Sequence, residues 1–71
     1  MSGALASGGK VNINTADADE LMTLDGVGEA TARRIVEDRQ ANGPFATTED
    51  LKRVSGIGDK KFAAIADRIC V

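Results

Sequence analysis

A five-residue segment, Val54-Ser55-Gly56-Ile57-Gly58, occurs twice in this chain in related form. Thirty positions earlier stands Leu24-Asp25-Gly26-Val27-Gly28, with the same order of an apolar residue, a polar residue, a glycine, a β-branched residue and a second glycine. The match continues outward, because Glu20-Leu21 corresponds to Asp50-Leu51. Repetition at a fixed period indicates that the chain consists of two copies of one supersecondary unit.

Each copy is predicted to be a short helix, a hairpin and a second helix. The first hairpin is Leu24 to Gly28 and the second hairpin is Val54 to Gly58. The middle glycine of each lets the backbone take a positive φ, or approach a surface where a Cβ would clash. The residue between the glycines is expected to point back between the helices. The last glycine stands where the next helix begins, so the first N–H groups of that helix have no intrahelical partner. Such N–H groups at the positive end of a helix dipole are predicted to form a binding site for phosphate.

The predicted helices cover about residues 16–23, 29–41, 48–53 and 59–68. Asn14 or Thr15 is expected to cap the first, and Thr47 to Asp50 approximates a capping box for the third. Asn42-Gly43-Pro44 is expected to end the second, with Phe45 folding back on the core. No segment alternates with period two, so no sheet is predicted. The predicted fold class is all-α, with four main helices around one small core.

Size and charge limit the possible functions. The 71 residues carry nine basic and eleven acidic side chains, a formal charge of −2, so any nucleic-acid contact must be local rather than a bulk attraction. One cysteine and no histidine exclude a structural zinc site and an intramolecular disulfide. An enzyme is not expected, because the chain has no histidine, no serine or cysteine beside a base, and no room for a cleft with paired carboxylates.

Two regions differ in composition. Residues 1–10 are mostly glycine, alanine and serine, which is typical of a flexible linker or a cloning remnant. Order is expected to begin near Val11, so residues 11–71 are predicted to be the folded domain. No apolar run approaches the roughly 18 residues of a membrane span, and the first ten residues lack the apolar centre of a signal peptide.

Several segments together resemble the tandem helix-hairpin-helix domain of the competence protein ComEA family. They are Val11-Asn12-Ile13-Asn14-Thr15-Ala16, the two hairpins, Ala32, Ile35, Arg39, Asn42-Gly43-Pro44-Phe45 and Asp50-Leu51, and the resemblance covers about residues 11–71. It implies an all-α domain that binds double-stranded DNA without sequence preference and takes up external DNA for natural transformation. It also implies an extracytoplasmic location, with a membrane anchor or secretion signal that is absent from this fragment.

Ten residues are predicted to bind DNA. They are Gly26, Val27, Gly28, Thr31 and Arg34 in the first repeat, and Gly56, Ile57, Gly58, Lys60 and Lys61 in the second. Lys60 and Lys61 are expected beside the second hairpin and Thr31 beside the first. Arg33, Lys52 and Arg53 are further candidates for the same face. Contacts of this kind fix position on a duplex without reading its sequence.

The resemblance carries one further implication and one departure. In some relatives, backbone carbonyls of the hairpin bind a monovalent cation that contacts a phosphate. In this chain the resemblance implies that the carbonyls of Lys52, Val54 and Ile57 would bind it, and it implies no other cofactor. Many family members carry a basic residue just after the first hairpin, whereas this chain has Glu29-Ala30-Thr31 there. The second copy has Asp59-Lys60-Lys61, so the two hairpins are expected to contribute unequally.

Alternatives remain open for each of these features. The glycines could serve only as tight-turn residues, and Arg33-Arg34 could pair with Glu37 and Asp38 along the helix. Arg39 and Arg68 are expected to be structural. The same hairpins could instead mediate protein–protein contact or self-association, which the acidic total favours.

Overall fold

The computed structural model describes residues 9–71. The order of elements is β1 (Val11–Asn12), α1 (Ala18–Leu21), α2 (Glu29–Asn42), a 3-10 helix (Thr48–Arg53), α3 (Asp59–Ile65), a 3-10 turn (Ala66–Arg68) and β2 (Ile69–Cys70). The predicted all-α architecture with four main helices is confirmed. Most of the predicted linker, residues 1–8, lies outside the described residues. Among residues 9–71, the helices are too short or too polar to cross a lipid bilayer.

The two repeats share one hydrophobic core. Corresponding apolar positions are buried in both copies: Leu21 and Leu51, Leu24 and Val54, Val27 and Ile57, and Ile35 and Ile65. Burying each such side chain contributes about 1.5–3 kcal/mol. Val11, Ile13, Phe45 and Ile69 complete the same cluster from outside the repeats. Neither repeat therefore has a core of its own.

The first helix is shorter than predicted and is capped by a different residue. α1 begins after Asp17, whose Oδ1 accepts the Glu20 N–H at 2.9 Å, while Glu20 Oε1 accepts the Asp17 N–H at 3.4 Å. The prediction that Asn14 or Thr15 would cap this helix is wrong. The chain instead turns before it, because the Asn12 carbonyl accepts the N–H groups of Thr15 and Ala16.

Asn14 has a different task, which is to join the start of the domain to the link between the repeats. Its Oδ1 accepts the Phe45 N–H at 2.7 Å and its Nδ2 donates to the Phe45 carbonyl at 3.0 Å. α2 ends at Asn42 as the sequence predicts within one residue, with Gly43 at φ +87°. Phe45 is 2% exposed, which confirms its predicted role as a core anchor.

The prediction that the chain has no sheet is wrong. β1 and β2 pair in parallel, with Val11 opposite Ile69 and Asn12 opposite Cys70. The Ile13 N–H extends the ladder by donating to the Cys70 carbonyl at 2.9 Å. Each strand has only two residues, which is too short to show an alternating pattern. The pairing brings the two ends of the described chain together.

Candidate nucleic-acid interface

The two hairpins have the same backbone geometry. Gly26 has φ +78° and Gly56 has φ +98°, a region that side chains other than glycine rarely occupy. The Val27 N–H donates to the Leu24 carbonyl at 3.1 Å, and in the second copy the Ile57 N–H donates to the Val54 carbonyl at 3.0 Å. The repeat seen in the sequence is therefore a repeat of conformation and hydrogen bonding.

The apolar residues of the hairpins face the core. Val27 is 5% exposed and Ile57 is 3% exposed. Their N–H groups are used within the hairpins, so neither the side chains nor the N–H groups of these two predicted site residues are available to a ligand. Their contribution to the site is to hold the neighbouring glycines in position.

The glycines at the helix starts are exposed and have no side-chain cap. Gly28 precedes α2 with φ −90° and ψ −175°, and Gly58 precedes α3 with φ −97° and ψ −173°. Within residues 9–71, no hydrogen bond is formed by the first-turn N–H groups, which belong to Glu29, Ala30, Thr31, Asp59, Lys60 and Lys61. The hairpins thus present unbonded amides at the positive ends of two helices.

The other two helices begin differently. α1 has the Asp17 and Glu20 pair described above. At the start of the 3-10 helix, Asp50 Oδ2 accepts the N–H groups of Ala46 and Thr47 at 3.0 and 3.3 Å. A carboxylate from the first turn therefore accepts backbone N–H groups at the start of α1 and just before the 3-10 helix Thr48–Arg53, whereas no side chain of the described residues does so at Gly28 or Gly58.

Contacts between the repeats change the predicted positions of two site residues. A Cβ placed on Gly26 would lie 3.6 Å from Lys61 Cε and 3.8 Å from its Cγ, so the stem of Lys61 crosses the first hairpin. A Cβ on Gly56 would lie 3.7 Å from Thr31 Oγ1, which puts the Thr31 hydroxyl at the second hairpin. The prediction had these two residues beside the opposite hairpins. Both stand third in their helix, and that position faces the other repeat.

The basic candidates divide into two groups. Arg53 is held by Asp38, by the Gly43 carbonyl and by the Phe45 ring. The remaining paired cations have single carboxylate partners, since Arg33 meets Glu29 at 3.1 Å and Lys52 meets Asp59 at 3.5 Å. Within residues 9–71, Arg34, Lys60 and Lys61 form no ion pair. Arg34 does not pair with Asp38, which was the alternative considered above, because Asp38 pairs with Arg53. The Arg34 guanidinium instead lies at the second hairpin, with Nη1 3.3 Å from the position of a Cβ placed on Gly56.

Ser55 is a polar hairpin residue that the sequence reasoning did not select. It lines a shallow surface depression of about 390 Å³ beside the second hairpin, whose charged lining consists of two arginines and two carboxylates: Arg34, Arg53, Glu37 and Asp38. The corresponding residue of the first hairpin is Asp25. The two hairpins thus differ by a neutral hydroxyl in one and a carboxylate in the other, a difference that alignment of the repeats could have revealed.

The carbonyls considered for a monovalent cation are partly engaged. The Val54 carbonyl accepts the Ile57 N–H, which leaves one of its two lone pairs. The side chain of Lys52, whose carbonyl is another of the three, points elsewhere: its ammonium group lies over the Phe62 ring, 4.9 Å from the centroid, and 3.5 Å from Asp59 Oδ1.

Two glycine hairpins that each open a helix with unbonded amides, related by a thirty-residue repeat, define a tandem helix-hairpin-helix domain. The comparison with known families agrees, since the model described as "Helix-hairpin-helix motif" matches residues 6–70. The chain belongs to the helix-hairpin-helix family.

Known relatives extend this result. ComE operon protein 1 of Bacillus subtilis is 48% identical over 69 residues, which are 93% of this chain and 34% of that protein. Endonuclease/exonuclease/phosphatase family domain-containing protein 1 of Homo sapiens is 49% identical over 71 residues, all of this chain and 12% of that protein. A Haemophilus influenzae protein is 43% identical over 61 residues, 84% of this chain and 54% of that protein. The chain thus spans 12% to 54% of these relatives, and the predicted resemblance to the ComEA family is confirmed.

Proposed function

We propose that this domain binds double-stranded DNA without sequence preference, with the amides of the two hairpins on phosphate oxygens. The observation that carries the proposal is the contrast between helix starts. α1 and the 3-10 helix are capped by the protein's own carboxylates, whereas α2 and α3 begin at exposed glycines with unbonded N–H groups. Phosphate is the usual ligand of such a helix start.

The proposal is compatible with the acidic total charge. An anion held by backbone N–H groups and a helix dipole needs no general excess of lysine and arginine. Arg34, Lys60 and Lys61, the three predicted cations that form no ion pair in the described chain, add local positive charge. Contacts with phosphate position a protein on a duplex but carry no sequence information, which is the reason to expect indifference to sequence.

The second hairpin is proposed to be the stronger of the two. Ser55, Lys60 and the Arg34 guanidinium lie at or beside it. The first hairpin has Asp25 within it, whereas the acidic residues that directly follow the two hairpins, Glu29 and Asp59, are equivalent and each is paired with a cation. Repulsion between the Asp25 carboxylate and a phosphate weakens the first contact relative to the second.

In the cell, the domain is proposed to receive DNA during competence and uptake. This role is supported by the similarity to ComE operon protein 1, of which this chain covers 34%. An extracytoplasmic position, attached through an anchor outside this sequence, belongs to the same proposal. We propose a binding role rather than a catalytic one, because the chain offers bare amides and no histidine.

Binding can be measured by fluorescence anisotropy with two labelled duplexes of equal length and unrelated sequence. The expected result is micromolar affinity at low salt, equal within about twofold for the two duplexes. No titration, or a large difference between the sequences, would contradict the proposal. If the hairpins instead mediate self-association, light scattering will show dimers of the chain, and adding duplex DNA will not change the mass of those dimers.

Gly58→Val tests whether the hairpin carries the binding. No atom lies within 4 Å of a Cβ placed on Gly58, and its φ of −97° suits valine, so the fold should be retained. The new side chain would keep phosphate away from the amides, and affinity should fall at least tenfold. Gln40→Val is the matched control, because it adds the same side chain to an exposed position near the far end of α2.

Lys60→Glu with Lys61→Glu should also remove binding while the helical circular dichroism signal persists.

A further inference from the structure

The first hairpin lies in the most acidic part of the domain. Residues 11–32 contain five acidic side chains and no basic one. Two of the five, Asp25 and Glu29, are exposed and directly border the unbonded amides. A phosphate at this hairpin needs a nearby cation, and the first repeat does not supply one before Arg33, which is already paired with Glu29.

Lys61 of the second repeat lies across this hairpin. Its Cγ and Cε are in van der Waals range of the position that a Cβ on Gly26 would take. Its Nζ is one bond beyond Cε and has no carboxylate partner in the described chain. Gly26 has no side chain, so the lysine stem can pass directly over the backbone of the turn.

The reciprocal contact exists at the second hairpin. Arg34 Nη1 is 3.3 Å and Thr31 Oγ1 is 3.7 Å from the corresponding Cβ position on Gly56. Thr31 and Lys61 occupy equivalent places in the repeat, thirty residues apart. Thr31 is 9% exposed. Each hairpin is therefore bordered by a polar side chain that belongs to the other repeat.

We propose that the two repeats exchange their cations: Lys61 serves the phosphate at the first hairpin, and Arg34 with the Thr31 hydroxyl serves the phosphate at the second. The inference rests on the proposed function, since it assigns the charges of that same interface. Each phosphate contact then depends on both repeats. A single repeat would have no closed core, and the first repeat would also lack the cation that its own hairpin needs.

Amide chemical shifts can separate the two hairpins. The protein labelled with ¹⁵N is titrated with a short mixed-sequence duplex at low salt, and shifts are followed at Gly28 to Ala30 and at Gly58 to Lys60. Lys61→Gln is compared with Lys60→Gln, which makes the same charge change one residue away. Lys61→Gln should lose most of the DNA-induced shift at the first hairpin and keep that at the second. Lys60→Gln should keep the response of the first hairpin.

Arg34→Gln supplies the reciprocal arm. It should reduce the response at the second hairpin and leave the first unchanged. In anisotropy, Lys61→Gln and Arg34→Gln should each make the slope of log affinity against log salt shallower by about 0.9, the value for one phosphate contact. Circular dichroism should show the same helical content in all variants, because the three side chains form no ion pair in the described chain.

The outcomes distinguish this inference from the function on which it rests. One outcome is that DNA shifts the amides of the unsubstituted protein, but Lys61→Gln reduces the response of the second hairpin, or of both hairpins equally. That outcome would overturn the exchange of cations and leave the proposal of DNA binding intact. The absence of any DNA-induced shift at either hairpin in the original protein would overturn both.

Discussion

Arg53 joins three parts of the chain through one guanidinium group. Its Nε–H donates to Asp38 Oδ1 at 2.6 Å, and its Nη2–H donates to the Gly43 carbonyl at 3.0 Å. The same group lies over the Phe45 ring, 4.5 Å from the centroid. An arginine that the sequence makes a candidate for DNA contact thus connects α2, the link between the repeats and the 3-10 helix.

Arg53→Ala should therefore lower stability more than it lowers DNA affinity. The substitution leaves the Asp38 carboxylate, 14% exposed, without its partner, and we expect a loss of about 1–2 kcal/mol in the free energy of unfolding. Urea unfolding followed by circular dichroism measures it. Arg33→Ala is the control, because its exposed pair with Glu29 is worth about 0.5 kcal/mol or less. Equal losses for both variants would contradict this role for Arg53.

At the scale of elements, the hairpin glycines have different tasks. Gly26 and Gly56 make the turn, because both have positive φ. Gly28 and Gly58 have extended backbone that any residue can adopt, and a Cβ on either would meet no atom within 4 Å. The first pair is required by the fold, whereas the second pair keeps the helix starts open.

Alanine substitutions in the first hairpin should show this division. Gly26→Ala places a side chain at φ +78°, and we expect it to cost about 1–2 kcal/mol of unfolding free energy. Gly28→Ala should cost only about 0.5 kcal/mol, since alanine is a poorer N-cap than glycine. Thermal or urea unfolding compares the two. A larger loss for Gly28→Ala than for Gly26→Ala would reverse the assignment.

At the scale of the whole molecule, the ends of the domain hold each other. β1 pairs with β2, Ile69 is buried beside Val11, and Arg39 Nη1 donates to the Ile13 carbonyl at 3.0 Å. A domain of this size is marginally stable, so a peripheral contact of this kind is a large part of its net stability.

Removal of residues 69–71 should therefore destabilise the domain by about 3 kcal/mol or more, from the lost burial of Ile69 and the lost ladder hydrogen bonds. Removal of Val71 alone is the control, because that residue is 49% exposed. Melting temperatures from circular dichroism compare the two truncations. A similar, small change in both would show that β2 is dispensable.

Features that depend on local sequence signals, such as turns and helix ends, could be predicted from the sequence. Contacts between segments that are distant in the sequence could not. Gly43 and the hairpin glycines act through the backbone, so the helix ends and turns were foreseeable. The β1–β2 pairing joins residues at opposite ends of the chain, and two-residue strands have no readable period. Lys61 was assigned to the hairpin that precedes it in sequence, whereas the shared core brings it to the other one.

The central claim is that uncapped amides at two hairpins hold phosphates of a duplex. The dependence of affinity on salt tests it most directly, because each neutralised phosphate contributes about −0.9 to the slope of log affinity against log salt. For about three to five phosphates, anisotropy titrations should give a slope of about −3 to −4.5 in the original protein, and Gly58→Val should give a shallower one. An affinity that does not change with salt, or a Gly58→Val variant that binds with the original slope, would contradict the claim.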